Sequence, residues 1–296
     1  MTFARTGRLV VSLCGLLPLL LAGSVSGHGG FHERIAELRA DLKKTPSDPL
    51  LHFELGNLHG QHGDLQLSLQ NLARVDELAP GKYLTDLLRG QAYLAADEFP
   101  KAKEALNRQV ASHPESGRTW LLRARANQKP GQNAESVADY RQALKRTASP
   151  EPDLVQEVAG ALAAHGHKEE AAQVLAAGIE KLGKIPSLVL RALDLEIEMK
   201  NFDAALQRIE QAQQGAPRRE PWMARRADVL AKAGRVDESR AAWKALLEHL
   251  ESLPERERTS RAMTRIATEA REALALLESS AADGSQTVPL AAQAKP

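Results

Sequence analysis

Cysteine is nearly absent from this 296-residue sequence, and the one present is Cys14. It sits inside an apolar run close to the N-terminus, with Leu13 before it where a lipidated cysteine would follow a small residue. A chain that loses this segment has no thiol and no disulfide, so packing alone must hold its fold. Aromatic residues make up only 4% against 43% hydrophobic residues overall. The core is therefore mostly alanine and leucine, which suits closely packed helices and argues against a β-sandwich. Charge of one sign is also missing: 39 basic residues face 38 acidic ones. No general field draws the chain to nucleic acid or to an anionic membrane. Signatures of catalysis are lacking too. There is no glycine-rich phosphate loop, no HExxH pair and no nucleophile elbow, so no enzyme activity and no cofactor is expected.

The longest apolar run, Leu9 to Ala22, is too short to span a bilayer comfortably. Arg5 and Arg8 precede it and small residues follow, from Ala22 to Gly27. Residues 1–27 read as a secretory signal, cleaved near Ser24 or Gly27, which implies a periplasmic or secreted protein that meets a membrane only during export. Without this segment the balance is 37 basic to 38 acidic residues.

What is present is repetition. Between Pro49 and Pro114 one motif is written twice at a single constant offset: Gly56 recurs as Gly90, Ser68 as Ala102, Leu72 as Leu106 and Pro80 as Pro114. Further copies follow. The third carries Trp120, Ala124, Gly131, Ser136 and Tyr140. The fourth carries Ala159, Leu162, Gly166, Ala171 and Leu175. The fifth carries Ala192, Phe202, Ala205, Ile209 and Pro217, and the sixth Trp222, Ala227, Gly234, Ser239 and Trp243. Ahead of them, Ile35, Leu38 and Leu42 share one helical face. Behind them, Met263, Ile266, Ala270, Ala273 and Leu277 do the same.

Over residues 31–278 the chain resembles tetratricopeptide repeat proteins, whose period is the offset that separates Gly56 from Gly90. The resemblance implies an all-α fold, a right-handed superhelical α-solenoid of about six helix-turn-helix units with a capping helix at each end. The expected division is residues 28–48 for a lead-in and capping helix, 49–253 for the array, 254–278 for a C-terminal capping helix and 279–296 for a disordered tail. One departure recurs. Arg89, Arg123 and Arg226 stand where the common motif has leucine, and their stems are expected to lie along a neighbouring helix with the heads in water.

In such proteins the first helix of each pair lines a concave groove, so the resemblance directs attention to those helices. Phe53, Asn57, Leu87 and Gln91 fall on the relevant face of the first two repeats. Arg118, Leu121, Arg125 and Lys129 fall on one face of the third. An apolar-and-amide floor leading to a basic patch suits an acidic or C-terminal peptide segment. Further along, Asp153, Asp194, Glu198 and Asp228 make the corresponding face acidic, interrupted by Lys232. The scarcity of aromatic residues argues against sugar binding. The expected function is a non-catalytic scaffold or adaptor that binds another protein. Two alternatives come from other classes. One is a periplasmic metal-binding protein using His28, His59 and His62, of which His59 and His62 are i, i+3 neighbours. The other is a non-catalytic subunit of an envelope enzyme complex.

Overall fold

The computed structural model describes residues 29–128 and 133–282. The signal expected over residues 1–27, His28, Lys129 and Gly131 lie outside them, as does most of the expected tail. Every regular element among the described residues is an α-helix. The chain divides into two compact units, residues 1–95 and 96–296, and each is described by itself.

The first unit holds α1 (Gly29–Lys44), α2 (Pro49–Gln61), α3 (Leu65–Leu78) and α4 (Thr85–Ala95). Asp48 starts α2: its carboxylate accepts from the Leu50 N–H at 2.8 Å, and Pro49 takes the first helical position, where no N–H is needed. Ile35 and Leu38 of α1 bury against Leu55 of α2, flanked by Phe31, Leu42, Leu51 and Leu58. Residues 29–44 thus cover the open side of the first pair, as a cap should. At the crossing of α2 and α3 a Cβ on Gly56 would lie 2.9 Å from two carbons of Leu72. The missing side chain is what lets α3 come so close. The Ser68 hydroxyl then donates to the Gly56 carbonyl oxygen at 2.7 Å, joining the two helices by a buried hydrogen bond.

The second unit begins with α5 (Phe99–Ser112) and continues through α6 (Gly117–Asn127), α7 (Asn133–Arg146), α8 (Pro152–Ala164), α9 (Lys168–Leu182), α10 (Pro186–Glu198), α11 (Phe202–Gln214), α12 (Glu220–Lys232) and α13 (Val236–Ser252). The serine device recurs here at the same sequence separation. Ser136 donates to the Ala124 carbonyl at 3.0 Å and Ser239 to that of Ala227 at 2.8 Å. Ala102, Ala171 and Ala205 hold the same slot elsewhere and are fully buried. Leu162, Leu175, Leu188 and Leu195 form one continuous core with Tyr140 and the surrounding alanines. Each such leucine contributes about 1.5–3 kcal/mol through burial.

Among the described residues, the turns within the pairs share one backbone device. Gly63, Asp97, Gly166, Lys200 and Gly234 all have positive φ, between 57° and 86°. Gly63 and Asp97 are separated by the same offset as Gly56 and Gly90, and so are Gly166 and Lys200, and Lys200 and Gly234. Glycine accepts this conformation without penalty and aspartate tolerates it, whereas lysine pays for its Cβ.

The C-terminal helix differs in two respects from expectation. It is broken into α14 (Glu255–Arg258) and α15 (Arg261–Ala282), with Ser260 at the break accepting from the Met263 N–H at 3.4 Å. It also runs past residue 278 to Ala282, into the segment expected to be tail. Met263, Ile266, Ala270 and Leu277 bury against Trp243, Leu246 and Leu250 of α13, with Ala273 half-buried beside them.

Candidate functional site

The expected groove residues fall in both units. In the first unit α2 and α4 pack side by side. Phe53 of α2 meets Tyr83, just ahead of α4, with ring centroids 5.1 Å apart. Leu87 is half-buried beside them. Leu50 and Leu84, one at the start of each helix, are 44% and 40% exposed, among the most exposed large apolar side chains described. The Asn57 side-chain oxygen accepts from Gln61 Nε2 at 3.2 Å. The Gln91 side-chain oxygen is buried and has no donor. A buried acceptor left unsatisfied costs about 1–3 kcal/mol, so this face holds an unmet demand for an N–H.

In the second unit two members of the expected basic face are described, Arg118 and Arg125, and Arg125 is matched by an acid. Arg125 is held in a two-point pair with Glu157 of α8: Nε and Nη2 donate to the two carboxylate oxygens at 2.7 Å each. The Tyr140 hydroxyl donates to the same carboxylate at 3.1 Å. Burial acts to raise the Glu157 carboxyl, but the Arg125 hydrogen bonds and charge, with the tyrosine hydroxyl, hold it below the usual carboxylate range. Tyr140 is pushed the other way, chiefly by burial, and stays protonated. Leu121 packs onto the core and Arg118 is exposed.

The acidic stretch fares likewise. Asp194 pairs with Arg225, Glu198 with Lys168 at 3.1 Å, and Asp228 with Lys232 at 2.9 Å, while Asp153 is exposed. These contacts belong to a pattern. Lys103–Glu135, Arg125–Glu157, Arg141–Glu170, Lys168–Glu198, Asp194–Arg225 and Asp203–Arg235 each join residues separated by nearly one repeat. Charges that look like a binding surface along one helix are matched by the next repeat. Pairs this exposed add only about 0–1 kcal/mol each, but they match charge with charge from one repeat to the next.

Two of the three recurrent arginines depart from expectation, while Arg226 is exposed. Arg89 turns to Asp76 and Asp86 instead of water. Arg123 donates to both oxygens of Asp139 at 2.9 and 2.7 Å, and to Asn107 at 3.0 Å, while its guanidinium lies 4.6 Å from the Trp120 ring centre. Asp139 is only 3% exposed and takes a third hydrogen bond, from Asn127. Sequence reasoning missed this cluster. Its signal was the aspartate itself, the one acid in a helix register held elsewhere by Asn71, Ala105, Val174, Arg208 and Ala242.

Of the histidines, His59 is 3% exposed. Its Nδ1 is 3.2 Å from an Asp64 oxygen and its Nε2 3.5 Å from Arg39 Nη2. The carboxylate can only accept and the guanidinium can only donate, so the proton sits on Nδ1. His62 stacks on Phe31 at 4.8 Å, meets His32 edge-on at 4.9 Å and is 3.8 Å from Asp64. No group of three or more histidine, cysteine or acidic side chains among the described residues is arranged to hold a metal ion.

No family model matches the chain, and no curated protein matches it. Solved structures do. A tetratricopeptide repeat protein from Parabacteroides merdae is 17% identical over 82% of this chain and 93% of its own, with a TM-score of 0.47. TTC0263, a thermophilic TPR protein in Thermus thermophilus, is 20% identical over 56% and 91%, with a TM-score of 0.45. YrrB, a TPR protein described as having an unusual peptide-binding site, is 16% identical over 60% and 91%, with a TM-score of 0.47. With helix pairs stepping at close to one period, small residues where the paired helices cross and a left-handed residue in each described turn inside a pair, the fold of this chain is that of a tetratricopeptide repeat protein.

Proposed function

We propose that this protein is an exported, non-catalytic scaffold that binds an extended segment of another protein on the α2–α4 face of its first unit. The observation that carries the reading is a face with exposed leucines, Leu50 at the start of α2 and Leu84 just ahead of α4, on two helices that pack side by side, with the donorless Gln91 oxygen further along α4. A peptide backbone supplies N–H groups at regular spacing, and its apolar side chains would cover the two leucines. The segment is selected here by apolar side chains and backbone contacts.

The test is selection of binding peptides from a displayed library on the purified full chain. Leu50→Asp with Leu84→Asp should abolish selection while helical circular dichroism is unchanged, because both side chains are substantially exposed. If the leucine pair can be replaced without effect, the face is wrong. Export is tested separately: the mature protein should begin between Val25 and His28 on N-terminal sequencing. No helix among the described residues is long and apolar enough to cross a membrane.

A further inference from the structure

A second place carries an unmet hydrogen-bond demand, remote in sequence from the face just described and independent of it. It is a cleft of about 440 Å³ lined by Pro217, Arg218, Glu220, Arg256, Glu257 and Ser260. Glu220 opens α12 and is only 6% exposed. One of its oxygens lies 3.1 Å from His249 Nε2, while the other is buried and takes no hydrogen bond from another residue. Burial acts to raise this carboxyl. Its own backbone N–H, the His249 hydrogen bond and the charges of His249 and Arg218 more than offset that and hold it below the usual carboxylate range. Glu220 is thus an ionised, buried carboxylate with one oxygen unsatisfied, which is a costly state unless a cationic or N–H donor completes it.

The rest of the lining is arranged in matched charges. The wall formed by the turn before α12 and its first residue brings Arg218 and Glu220. The wall formed by α14 brings Arg256 and Glu257, with the Ser260 hydroxyl at the junction to α15. A purely cationic ligand would satisfy the two acids and face two arginines. A purely anionic one would meet the buried carboxylate. A small molecule with both charges answers both demands, its ammonium on the glutamates and its carboxylate on the guanidinium groups.

We propose that the cleft between the α11–α12 turn and the α14–α15 junction binds a free α-amino acid, with Glu220 receiving the ammonium group and Arg218 and Arg256 the carboxylate. The common L-amino acids, each added in turn to the full mature chain, provide the first probe, read by thermal melting. At least one should raise the melting temperature. The best of them is then compared by calorimetry with its N-acetyl form, which lacks the ammonium, and its methyl ester, which lacks the carboxylate. Each should bind about tenfold more weakly or worse, the scale of one lost charge-assisted contact. Glu220→Gln should abolish binding. Because Glu220 is buried and could matter for folding, the variant Arg256→Gln with Glu257→Gln carries the decision: both side chains are exposed, the fold should be unchanged, and binding should fall by a similar factor. The proposal is overturned if no amino acid raises the melting temperature, if the acetylated form binds as well as the parent, or if the double variant binds as tightly as wild type.

Discussion

Replacing Arg123 by leucine, the residue the common motif carries there, should destabilise the second unit. The reason is Asp139. Its side chain is 5% exposed and accepts three hydrogen bonds between 2.7 and 2.9 Å, two from Arg123 and one from Asn127. In Arg123→Leu only the asparagine remains, and an ionised carboxylate is left largely unpaired inside the fold. Breaking a buried pair from one side costs about 3–5 kcal/mol. The retained Asn127 contact and the adjoining cleft, which admits water to Asp139, place this case near the lower end of that range, about 3 kcal/mol. Leucine restores some apolar contact but cannot donate. The double variant Arg123→Leu with Asp139→Leu removes the orphaned charge and should recover most of the loss, because a buried ion pair is often no better than well-packed apolar residues. Urea denaturation at unchanged slope would report the difference as a lower midpoint, and backbone hydrogen exchange would locate it in α6 and α7. A single-variant cost under about 1 kcal/mol, or a double variant no better than the single, would refute the claim that Asp139 depends on Arg123.

Other consequences follow from the same geometry. Lys200→Gly should stabilise by about 0.5–1 kcal/mol in denaturant melts, because the left-handed backbone at φ 57° penalises a Cβ by somewhat more than glycine loses in chain entropy. Gly56→Ala should destabilise by about 1–3 kcal/mol, since its Cβ would press on Leu72. A melt as stable as wild type would mean that α2 and α3 can separate cheaply. The carboxyls of Glu157, Glu170 and Glu220 are all held below their ordinary range in the fold. Their contribution is therefore complete at neutral pH and is lost as pH falls below about 4 and through the depressed values. Stability measured against pH should drop in acid, and Glu157→Gln should make that drop shallower.

The helix pairs were legible from end to end because a repeat is a local object. Gly56 ahead of Ser68 and Leu72 in the same pair, and Pro80 closing it, each act on neighbours within one unit of sequence. The inward faces of α1 and α15 were legible for the same reason, as helical spacing places Ile35 with Leu38 and Met263 with Ile266 whatever they pack on. The end of α15 was not, since small and polar residues from Ser279 onward read alike as a fraying helix or as tail. Charge was the other limit. Along α6, Arg118 and Arg125 share a face, and helical periodicity alone makes them a patch. Whether a cation on that face is available depends on Glu157, which stands on the first helix of the next pair, and on a tyrosine hydroxyl that reaches the same carboxylate. Only the packed structure, which brings residues about one repeat apart into contact, could decide that Arg125 is matched. Only it could leave the Gln91 oxygen and one oxygen of Glu220 buried without donors, because an unmet hydrogen bond is a property of everything around an atom and has no pattern in the chain.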